Sequence, residues 1–424
     1  MSVPESDDSI RRVAVVGAGY VGLPLCLHLA KAGLEVTACD TNAKVVEEIN
    51  NRTSKVEEKE DFERFFSDPD VQANLRAQTT LIRADVFVIA VPTPIHEDKR
   101  PDLRAVDAAS RSIVPFLMPG NLVVIESTIP PFTTERLVAP ILEQSGYRVG
   151  DEILLAHCPE RILPGNIMAE AVFNSRVVGG VNQESAERAA ELYGRFVKGK
   201  LLLTSARTAE FVKLIENSYR DVNVAFANQV EILCEELGID THEAIALANQ
   251  HPRVDILSPG IGVGGHCIPI DPWFLVDAFP DSSQLIKAAR LLNDSMPDRT
   301  AEKILRSVAG ISNPKIICLG ATYKPNVKDV RESPALEVFT ILRKAGAEVS
   351  LYDPLLPEFS CDSVLTVARG ADALAVLVPH DLIVTEISYR KREILAAMRT
   401  PNILVFTPGV FQGMNRAVSM SATR

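Results

Sequence analysis

A cysteine in a glycine-rich loop is the residue of this sequence best suited to covalent chemistry. Residues 258–271 read SPGIGVGGHCIPID, so Cys267 follows four glycines and has His266 and Asp271 as polar neighbours. Glycines let a ligand approach the backbone closely, and their N–H groups are available to stabilise a thiolate or an oxyanion. The loop therefore predicts a nucleophilic thiol, with a structural turn that carries an incidental cysteine as the alternative.

A cationic and an amide side chain stand four residues apart in a helical segment. Lys213 and Asn217 share a helix face at this spacing and suit an oxygen that becomes negative during a reaction, although a solvated helix face is the common alternative. Glu160 lies in the sequence CPER, directly after the strand-like residues 153–156. It is a candidate carboxylate, but carboxylates are common in loops.

The pattern G-x-G-x-x-G begins at Gly17, directly after the apolar run 13–16. Gly17 permits a tight turn, Gly19 lets the backbone approach a pyrophosphate, and Gly22 lets the following helix pack on the strand. Asp40 ends the next strand, where it would accept hydrogen bonds from the adenosine ribose and repel a 2′-phosphate. The pattern predicts a dinucleotide site that prefers NAD to NADP.

Two further polar loops follow predicted strands. The sequence VPTP (91–94) comes after the strand at 85–91, and EST (126–128) ends the strand at 121–126. Because the carboxyl ends of parallel strands line the ligand crevice of an open sheet, we expect Thr128 to contact a ligand. The prolines of VPTP are equally typical of rigid loops.

The elements that position these residues predict an α/β fold with two Rossmann-like, doubly wound domains joined by a central helical domain. Residues 208–237 contain no proline or glycine and predict one long helix that ends at Gly238. Residues 30–40 (AKAGLEVTACD) resemble residues 343–353 (RKAGAEVSLYD), so the C-terminal third predicts a second α/β unit, without G-x-G-x-x-G. We expect domains at 11–200, 201–300 and 301–424, and a surface of helix and loop over 51–77.

Composition narrows the class of protein. The formal charge of −11 argues against a nucleic-acid partner, because phosphate backbones require a basic face. The seven cysteines form no C-x-x-C pair, which argues against a disulfide framework or a metal site and favours the cytoplasm. The polar start MSVPESDDSIRR predicts a tail rather than a signal peptide, and no apolar run reaches the roughly 18 residues of a membrane span.

Seven motifs in one order resemble the UDP-sugar 6-dehydrogenases of the UDP-glucose/GDP-mannose dehydrogenase family. They are GAGYVGLP, VPTP, EST, CPER-x-LPG, TAE-x-x-KL-x-EN, GVGGHC with DPW shortly after it, and YKP-x-x-x-D-x-RESPA, and the resemblance runs from about residue 11 to past residue 350. The stretch 247–274 is most similar to the branch that acts on UDP-N-acetylmannosamine. The chain departs from the family pattern at Phe132, where glycine is usual, and at 51–62.

The resemblance implies two NAD-dependent oxidations at C6 of the sugar, through a thioester on Cys267, and a homodimer or higher oligomer. Lys213 and Asn217 would hold the C6 oxygen, Glu160 would assist hydrolysis, and Asp271 would orient a water molecule or the lysine. The implied cofactor contacts are Gly17, Gly19, Tyr20, Val21, Gly22, Asp40, Pro92, Thr93, Thr128 and Arg331. The implied substrate contacts are Glu160, Arg161, Leu163, Lys213, Asn217, Arg253 (across a dimer interface), Gly264, Tyr323 and Lys324. Thr128 is also implied in catalysis.

Three alternatives stay open at this point. A UDP-N-acetylglucosamine or UDP-glucose 6-dehydrogenase would differ only in the sugar. A two-electron β-hydroxyacid dehydrogenase accounts for residues 11–240 but leaves the Cys267 loop and the second α/β unit without a role. A non-catalytic NAD-sensing protein would need none of the catalytic side chains.

Overall fold

The computed structural model describes residues 10–54, 59–162 and 166–406. Most of the predicted tail, residue Leu163 and the last residues of the predicted third domain lie outside these ranges. The chain forms two compact units: unit 1 comprises Met1–Glu216 with Trp273–Phe279, and unit 2 comprises Asn217–Pro272 with Pro280–Arg424.

Unit 1 is built on an eight-stranded sheet. Its strand β1 is third from one edge and pairs in parallel with β2 on one side and β4 on the other, so the strand order reverses at β1. The order is β3-β2-β1-β4-β5-β6-β7-β8, and among these pairs only β6 and β7 are antiparallel. The strands are β1 Arg12–Val16, β2 Glu35–Cys39, β3 Leu75–Gln78, β4 Val86–Ile89, β5 Leu122–Ile125, β6 Leu154–His157, β7 Arg176–Gly180 and β8 Leu201–Ser205.

Helices cover this sheet with apolar faces. The first helix is buried almost throughout, and Leu23, Leu27 and Ala30 belong to the same core cluster as Val13 and Val15 of strand β1. Burial on this scale is the main driving force for docking a helix on a sheet. The helices are α1 Gly22–Lys31, α2 Ala43–Asn50, α3 Lys59–Phe66, α4 Pro69–Asn74, α5 Arg104–Ile113, α6 Ala139–Leu142, α7 Ile167–Phe173 and α8 Gln183–Gly194.

The stretch 51–77 differs from its prediction as a surface of helix and loop. Phe62, Phe66 and Val71 are buried, and residues 75–77 belong to edge strand β3, which pairs with β2. Charged residues between the apolar positions hid this burial, and four residues of strand are too few to show a period of two.

The long helix and its neighbours confirm the predicted helical middle of the chain. Helix α9, Ala206–Leu237, has 32 residues and is about 48 Å long at 1.5 Å per residue. It ends at Gly238, whose φ of +69° suits a glycine that terminates a helix. The chain continues through α10 Thr241–Ala248, α11 Asp271–Ala278, α12 Gln284–Asp294 and α13 Met296–Ser307.

The C-terminal part of unit 2 repeats the architecture of unit 1. A parallel four-stranded sheet has the order β10-β9-β11-β12, and Gly320 N–H donates to Tyr352 O at 2.8 Å, as Gly17 N–H does to Cys39 O. The predicted second α/β unit and the predicted fold class are confirmed. The elements are β9 Lys315–Leu319, α14 Pro334–Lys344, β10 Glu348–Tyr352, α15 Val364–Ala368, β11 Ala373–Val376, α16 Asp381–Ala397 and β12 Ile403–Val405.

Candidate active site

The first glycine-rich loop has the geometry of a dinucleotide cradle. Gly17 has a φ of +93°, and a Cβ there would lie 2.5 Å from Ala90 O. A Cβ on Gly22 would lie 1.8 Å from Gly17 O, whereas Gly19 is exposed and a Cβ on it would meet nothing within 4 Å. Two glycines therefore close the turn, and the third leaves open backbone for a pyrophosphate.

The start of helix α1 and Asp40 complete this cradle. Tyr20 and Val21 are half-buried at the helix N-terminus, where backbone N–H groups favour an anion. Asp40 Oδ2 accepts from Ala18 N–H at 3.0 Å and Oδ1 accepts from Asn42 N–H at 2.8 Å. Each carboxylate oxygen keeps a second lone pair for a ribose hydroxyl. These residues fit NAD at the point where the strand order reverses.

The loops after β4 and β5 contact each other beside this cradle. Thr93 Oγ1 donates to Thr128 O at 2.7 Å, and Ser127 Oγ donates to Val91 O at 2.7 Å. Thr93 is buried, Thr128 is half-buried and Pro92 is exposed. The structure thus brings these three predicted residues together at one edge of the sheet.

Phe132, the departure from the family pattern, keeps a backbone conformation that favours glycine. Its φ is +73°, and its N–H donates to Glu210 Oε2 at 2.6 Å, while Thr134 N–H donates to Glu210 Oε1 at 2.7 Å. Its ring lies under the guanidinium of Arg136, 4.0 Å from the ring centroid, and near that of Arg207. The loop after Thr128 is therefore fixed to helix α9 one turn before Lys213, which is itself buried.

Glu160 belongs to a buried ionic cluster rather than to a free loop. Arg176 donates to Glu126 Oε1 at 2.6 Å and to Glu160 Oε2 at 3.0 Å, and Glu160 Oε1 accepts from Arg161 N–H at 2.6 Å. Burial and the nearby Glu160 raise the pKa of Glu126 to about 8, although Arg176 opposes the shift. Arg161 forms an ion pair with Glu216 of helix α9, and Leu163 lies outside the described residues.

The Cys267 loop of unit 2 is packed where its glycines meet a tyrosine. A Cβ on Gly264 would lie 2.6 Å from both the Tyr323 Cβ and Glu332 O, and one on Gly265 would lie 3.0 Å from the Tyr323 ring. Gly265 N–H donates to Arg331 O at 3.0 Å. Cys267 is half-buried. Burial, with Arg331 as a second cause, lowers the pKa of the neighbouring His266, which keeps the imidazole neutral at pH 7.

Asn217 and Asp271 meet in unit 2. Asn217 Nδ2 donates to Asp271 Oδ2 at 2.5 Å, and both side chains are buried. Asp271 N–H donates to Cys267 O at 2.8 Å, so the first residue of helix α11 is tied to the nucleophile loop. Lys213 lies one turn before Asn217 on helix α9, as its spacing predicted. The role of Asp271 toward the lysine or a water molecule stays a prediction.

The other cationic residues predicted to contact substrate or cofactor, Arg253, Lys324 and Arg331, are exposed. Lys324 lies next to the half-buried Tyr323. Arg331 pairs with Asp329, Nη2 to Oδ2 at 2.6 Å. Arg253 N–H donates to His251 Nδ1 at 3.3 Å. Their predicted contacts with substrate or cofactor stay predictions.

Family models decide the identity of the chain. Residues 11–197 match the NAD binding domain of the UDP-glucose/GDP-mannose dehydrogenase family, residues 207–295 match its central domain, and residues 317–408 match its UDP binding domain. The chain belongs to this family. It is an NAD-dependent oxidoreductase whose substrate is a UDP-sugar, and NAD is the cofactor of the cradle described above.

Individual relatives are similar to this dehydrogenase over most of their length. A UDP-N-acetyl-D-mannosamine dehydrogenase of Methanococcus maripaludis (strain C7) is 45% identical over 88% of the chain and 87% of the relative. An NDP-N-acetyl-D-galactosaminuronic acid dehydrogenase of Ralstonia solanacearum is 44% identical over 81% and 83%. The solved structure of a UDP-D-ManNAc dehydrogenase from Pyrococcus horikoshii is 38% identical, with a TM-score of 0.88 over 94% of the chain and 96% of that structure.

Sequence reasoning missed several residues of this dehydrogenase that hold its loops. Arg176, at the start of β7, belongs to no motif, and Glu126 and Glu210 are single positions within the longer motifs EST and TAE-x-x-KL-x-EN. A buried charge at a strand end is a weak sequence signal, because its partner is distant in the chain. Within the described ranges, no group of three His, Cys, Asp or Glu residues is placed to hold a metal, and no helix is long and apolar enough to cross a membrane.

Proposed function

We propose that the chain oxidises the C6 hydroxyl of UDP-N-acetylmannosamine to the carboxylate in two successive oxidations, with Cys267 as the covalent nucleophile. The observation that carries the proposal is the half-buried Cys267 on a glycine loop that packs against Tyr323. The names of the Methanococcus and Pyrococcus relatives support the choice of sugar. The relative from Ralstonia favours an N-acetylated galacto sugar as the second candidate.

The proposed chemistry has four steps. The C6 alcohol loses a hydride and its hydroxyl proton and becomes an aldehyde. The Cys267 thiolate adds to the aldehyde carbon, and the aldehyde oxygen takes up a proton to give a thiohemiacetal. The thiohemiacetal then loses this proton and a second hydride and becomes a thioester. Water then attacks the thioester carbon, the C–S bond breaks, and the uronate leaves while the thiolate is restored and the two protons of the water pass to solvent. NAD⁺, when bound, accepts one hydride at each oxidation.

We assign the polar residues of the site by the charge that each step creates. Negative charge on the C6 oxygen would be stabilised by the Lys213 ammonium and the Asn217 amide, since donors aimed at a developing oxyanion are the strongest electrostatic aid to such steps. Glu160 keeps one lone pair on each oxygen after its bonds to Arg161 and Arg176. One of these two lone pairs would accept a hydrogen bond from the water that hydrolyses the thioester and so orient it.

We further propose that residues 11–200 bind NAD, that residues 201–300 carry the catalytic helix and the dimer contact, and that residues 301–424 bind UDP. Support for a homodimer comes from helix α9, which exposes a row of apolar side chains. These are Phe211, Ile215, Tyr219, Phe226, Leu233 and Leu237, between 39% and 71% exposed. Sedimentation velocity should show a dimer that a Phe226→Glu variant weakens; a monomeric wild-type protein would contradict the proposal.

We propose a cytoplasmic location as well. No disulfide links cysteines of the described residues, which is typical of a reducing compartment. Cell fractionation of the source organism tests this proposal, and recovery in an extracytoplasmic fraction would overturn it.

The decisive experiment measures NADH formed per UDP-sugar consumed. UDP-N-acetylmannosamine, UDP-N-acetylgalactosamine, UDP-N-acetylglucosamine and UDP-glucose are compared in parallel. Two NADH from the manno sugar alone are expected. One NADH would indicate a stop at the aldehyde or a two-electron dehydrogenase, and none from any sugar would support a non-catalytic role. A fully active Cys267→Ser variant would overturn the covalent mechanism.

A further inference from the structure

The carboxylate at the end of β10 occupies the same place in the second α/β unit as Asp40 in the first, but it has an additional partner. Asp353 Oδ2 accepts from Ala321 N–H at 2.7 Å, as Asp40 accepts from Ala18 N–H. Asp40 is half-exposed, whereas Asp353 is fully buried and also contacts His380 Nε2 at 3.0 Å. The acid that would hold a ribose in a dinucleotide site therefore holds a histidine here.

The hydrogen bonds of His380 define its tautomer. Asn326 N–H donates to Nδ1 at 2.9 Å, so Nδ1 is unprotonated. The proton consequently lies on Nε2 and is donated toward Asp353, with Thr322 Oγ1 at 3.2 Å as a second acceptor. Although burial opposes it, hydrogen bonding from His380, Ala321 and Leu355 lowers the pKa of Asp353. The pair is thus a neutral imidazole on a carboxylate.

This pair fastens both ends of the loop 321–326. Ala321 is held by Asp353 at the start of the loop, and Asn326, with a φ of +62°, is held by His380 at its end. Asn326 Oδ1 also accepts from Asp381 N–H at 3.0 Å, and Thr322 Oγ1 donates to Lys324 O at 2.9 Å. Tyr323 and Lys324 lie between the two fastened ends.

Tyr323 carries the constraint to the nucleophile loop. Its Cβ and ring fill the space next to Gly264 and Gly265, which directly precede His266 and Cys267. Because neither glycine leaves room for even a methyl group without displacement, a shift of Tyr323 moves the backbone that leads to Cys267. The contacts therefore form one continuous path from His380 to the loop of Cys267.

We infer that His380 and Asp353 are positioning residues that hold Tyr323 and Lys324 for the uridine diphosphate and, through Tyr323, hold Cys267 in its reactive place. The inference rests on the proposed function, which gives Tyr323 and Lys324 to the substrate and Cys267 to the chemistry. It goes beyond that function in assigning a task to two residues that are fully buried.

Four variants of the full chain test the pair by its separate hydrogen bonds. His380→Ala removes the bonds of the ring to Asn326, Asp353 and Thr322. His380→Asn keeps an acceptor for Asn326 N–H, and His380→Gln keeps a donor for Asp353. Thr322→Val removes only the hydroxyl and is nearly isosteric. The control is His242→Asn, because His242 lies on helix α10, away from this loop in the sequence, and among the described residues its imidazole forms no side-chain hydrogen bond, whereas its backbone N–H donates to Asp240.

Three readouts separate positioning from a general loss of structure. They are the Kd for UDP by calorimetry, the rate of Cys267 alkylation by iodoacetamide, and the KM for UDP-sugar against the KM for NAD. For His380→Ala we expect a roughly tenfold weaker Kd for UDP, the size of losing a buried hydrogen bond or two. The alkylation rate should change at least about threefold on the same grounds. The KM for NAD should stay unchanged, and the control variant should match wild type in all three readouts. His380→Asn and His380→Gln should fall between alanine and wild type.

A folded His380→Ala variant with UDP affinity and alkylation rate within about twofold of wild type would overturn the inference, since even one lost bond exceeds that change. If His380→Asn and His380→Gln are as impaired as His380→Ala, the imidazole has a purely steric role, and the hydrogen-bond assignment is contradicted. If His380→Ala does not fold, the UDP affinity and the Cys267 alkylation rate of Thr322→Val decide the inference instead. If wild type neither binds UDP nor oxidises a UDP-sugar, the proposed function fails, whereas the alkylation rate still supports or overturns the path to Cys267.

Discussion

Glu210 and Phe132 are joined by a 2.6 Å hydrogen bond although 78 positions separate them in the chain. The Glu210 carboxylate accepts from the backbone N–H of Phe132, whose positive φ is unusual for a residue other than glycine. A carboxylate at the start of a helical turn also satisfies N–H groups that have no intrahelical partner. The bond therefore holds the loop after Thr128 in a conformation that its own sequence does not favour.

Replacing Glu210 by alanine should lower the free energy of unfolding by about 2–3 kcal/mol, because the N–H groups of Phe132 and Thr134 lose their acceptor. Urea denaturation followed by circular dichroism measures the change. Glu135→Ala is the matched control: Glu135 is a neighbour that forms a partly exposed ion pair with Arg207, and its loss should be below about 1 kcal/mol. Equal effects of the two substitutions would refute this role of Glu210.

Asn217→Ala should reduce kcat by roughly 100-fold or more, the usual effect of removing one oxyanion donor. Initial rates of NADH formation with UDP-N-acetylmannosamine measure it. Asn223→Ala is the control on the same helix, since within the described ranges the Asn223 side chain donates to the Tyr219 carbonyl and to no other group. An Asn217→Ala enzyme with nearly normal kcat but raised KM would assign the amide to ground-state binding instead.

Iodoacetamide near pH 7.5 should label Cys267 and Cys361 and spare the other five cysteines. Cys267 is half-buried and Cys361 is exposed, whereas burial raises the pKa of Cys39, Cys158 and Cys318 to about 12 and keeps them as inert thiols. Peptide mass spectrometry against time, with activity measured in parallel, follows both sites. Inactivation should track Cys267 and persist in a Cys361→Ser enzyme; protection by that substitution would exclude Cys267 as the nucleophile.

The buried cluster around Arg176 predicts a stability that falls with rising pH. Burial raises the pKa of Glu126 to about 8 from 4.5, so between these values the folded chain binds more protons than the unfolded chain. The stability that the protonated Glu126 contributes is therefore complete below about pH 4.5 and is lost as the pH rises through about 8.

Glu126→Gln cannot titrate, and its Tm should decline less than that of wild type between pH 5 and pH 9. Differential scanning fluorimetry at one-unit steps measures both curves. The exposed Glu187→Gln on helix α8 should follow wild type. Parallel curves for wild type and Glu126→Gln would mean that Glu126 stays charged in the folded protein across this range.

The sequence alone determined the features whose signal is local. The glycines from Gly17 to Gly22 and the acid at Asp40 fall within one strand-helix-strand segment, and helix α9 appears as an unbroken run without glycine or proline. The repeat of KAG-x-EV at a second position revealed the second α/β unit, and the glycines around Cys267 identified its loop. Each pattern has a fixed period or spacing that backbone geometry imposes on neighbouring residues.

Only the tertiary structure decided which buried charges pair. Arg176 meets Glu126 across 50 positions and His380 meets Asp353 across 27, and neither pair has a spacing that local geometry sets. Strand order chooses such partners, because residues at the ends of neighbouring strands meet whatever their distance in the chain. A buried charge without its partner would be too costly to keep, so the fold that the local patterns specify also fixes these contacts.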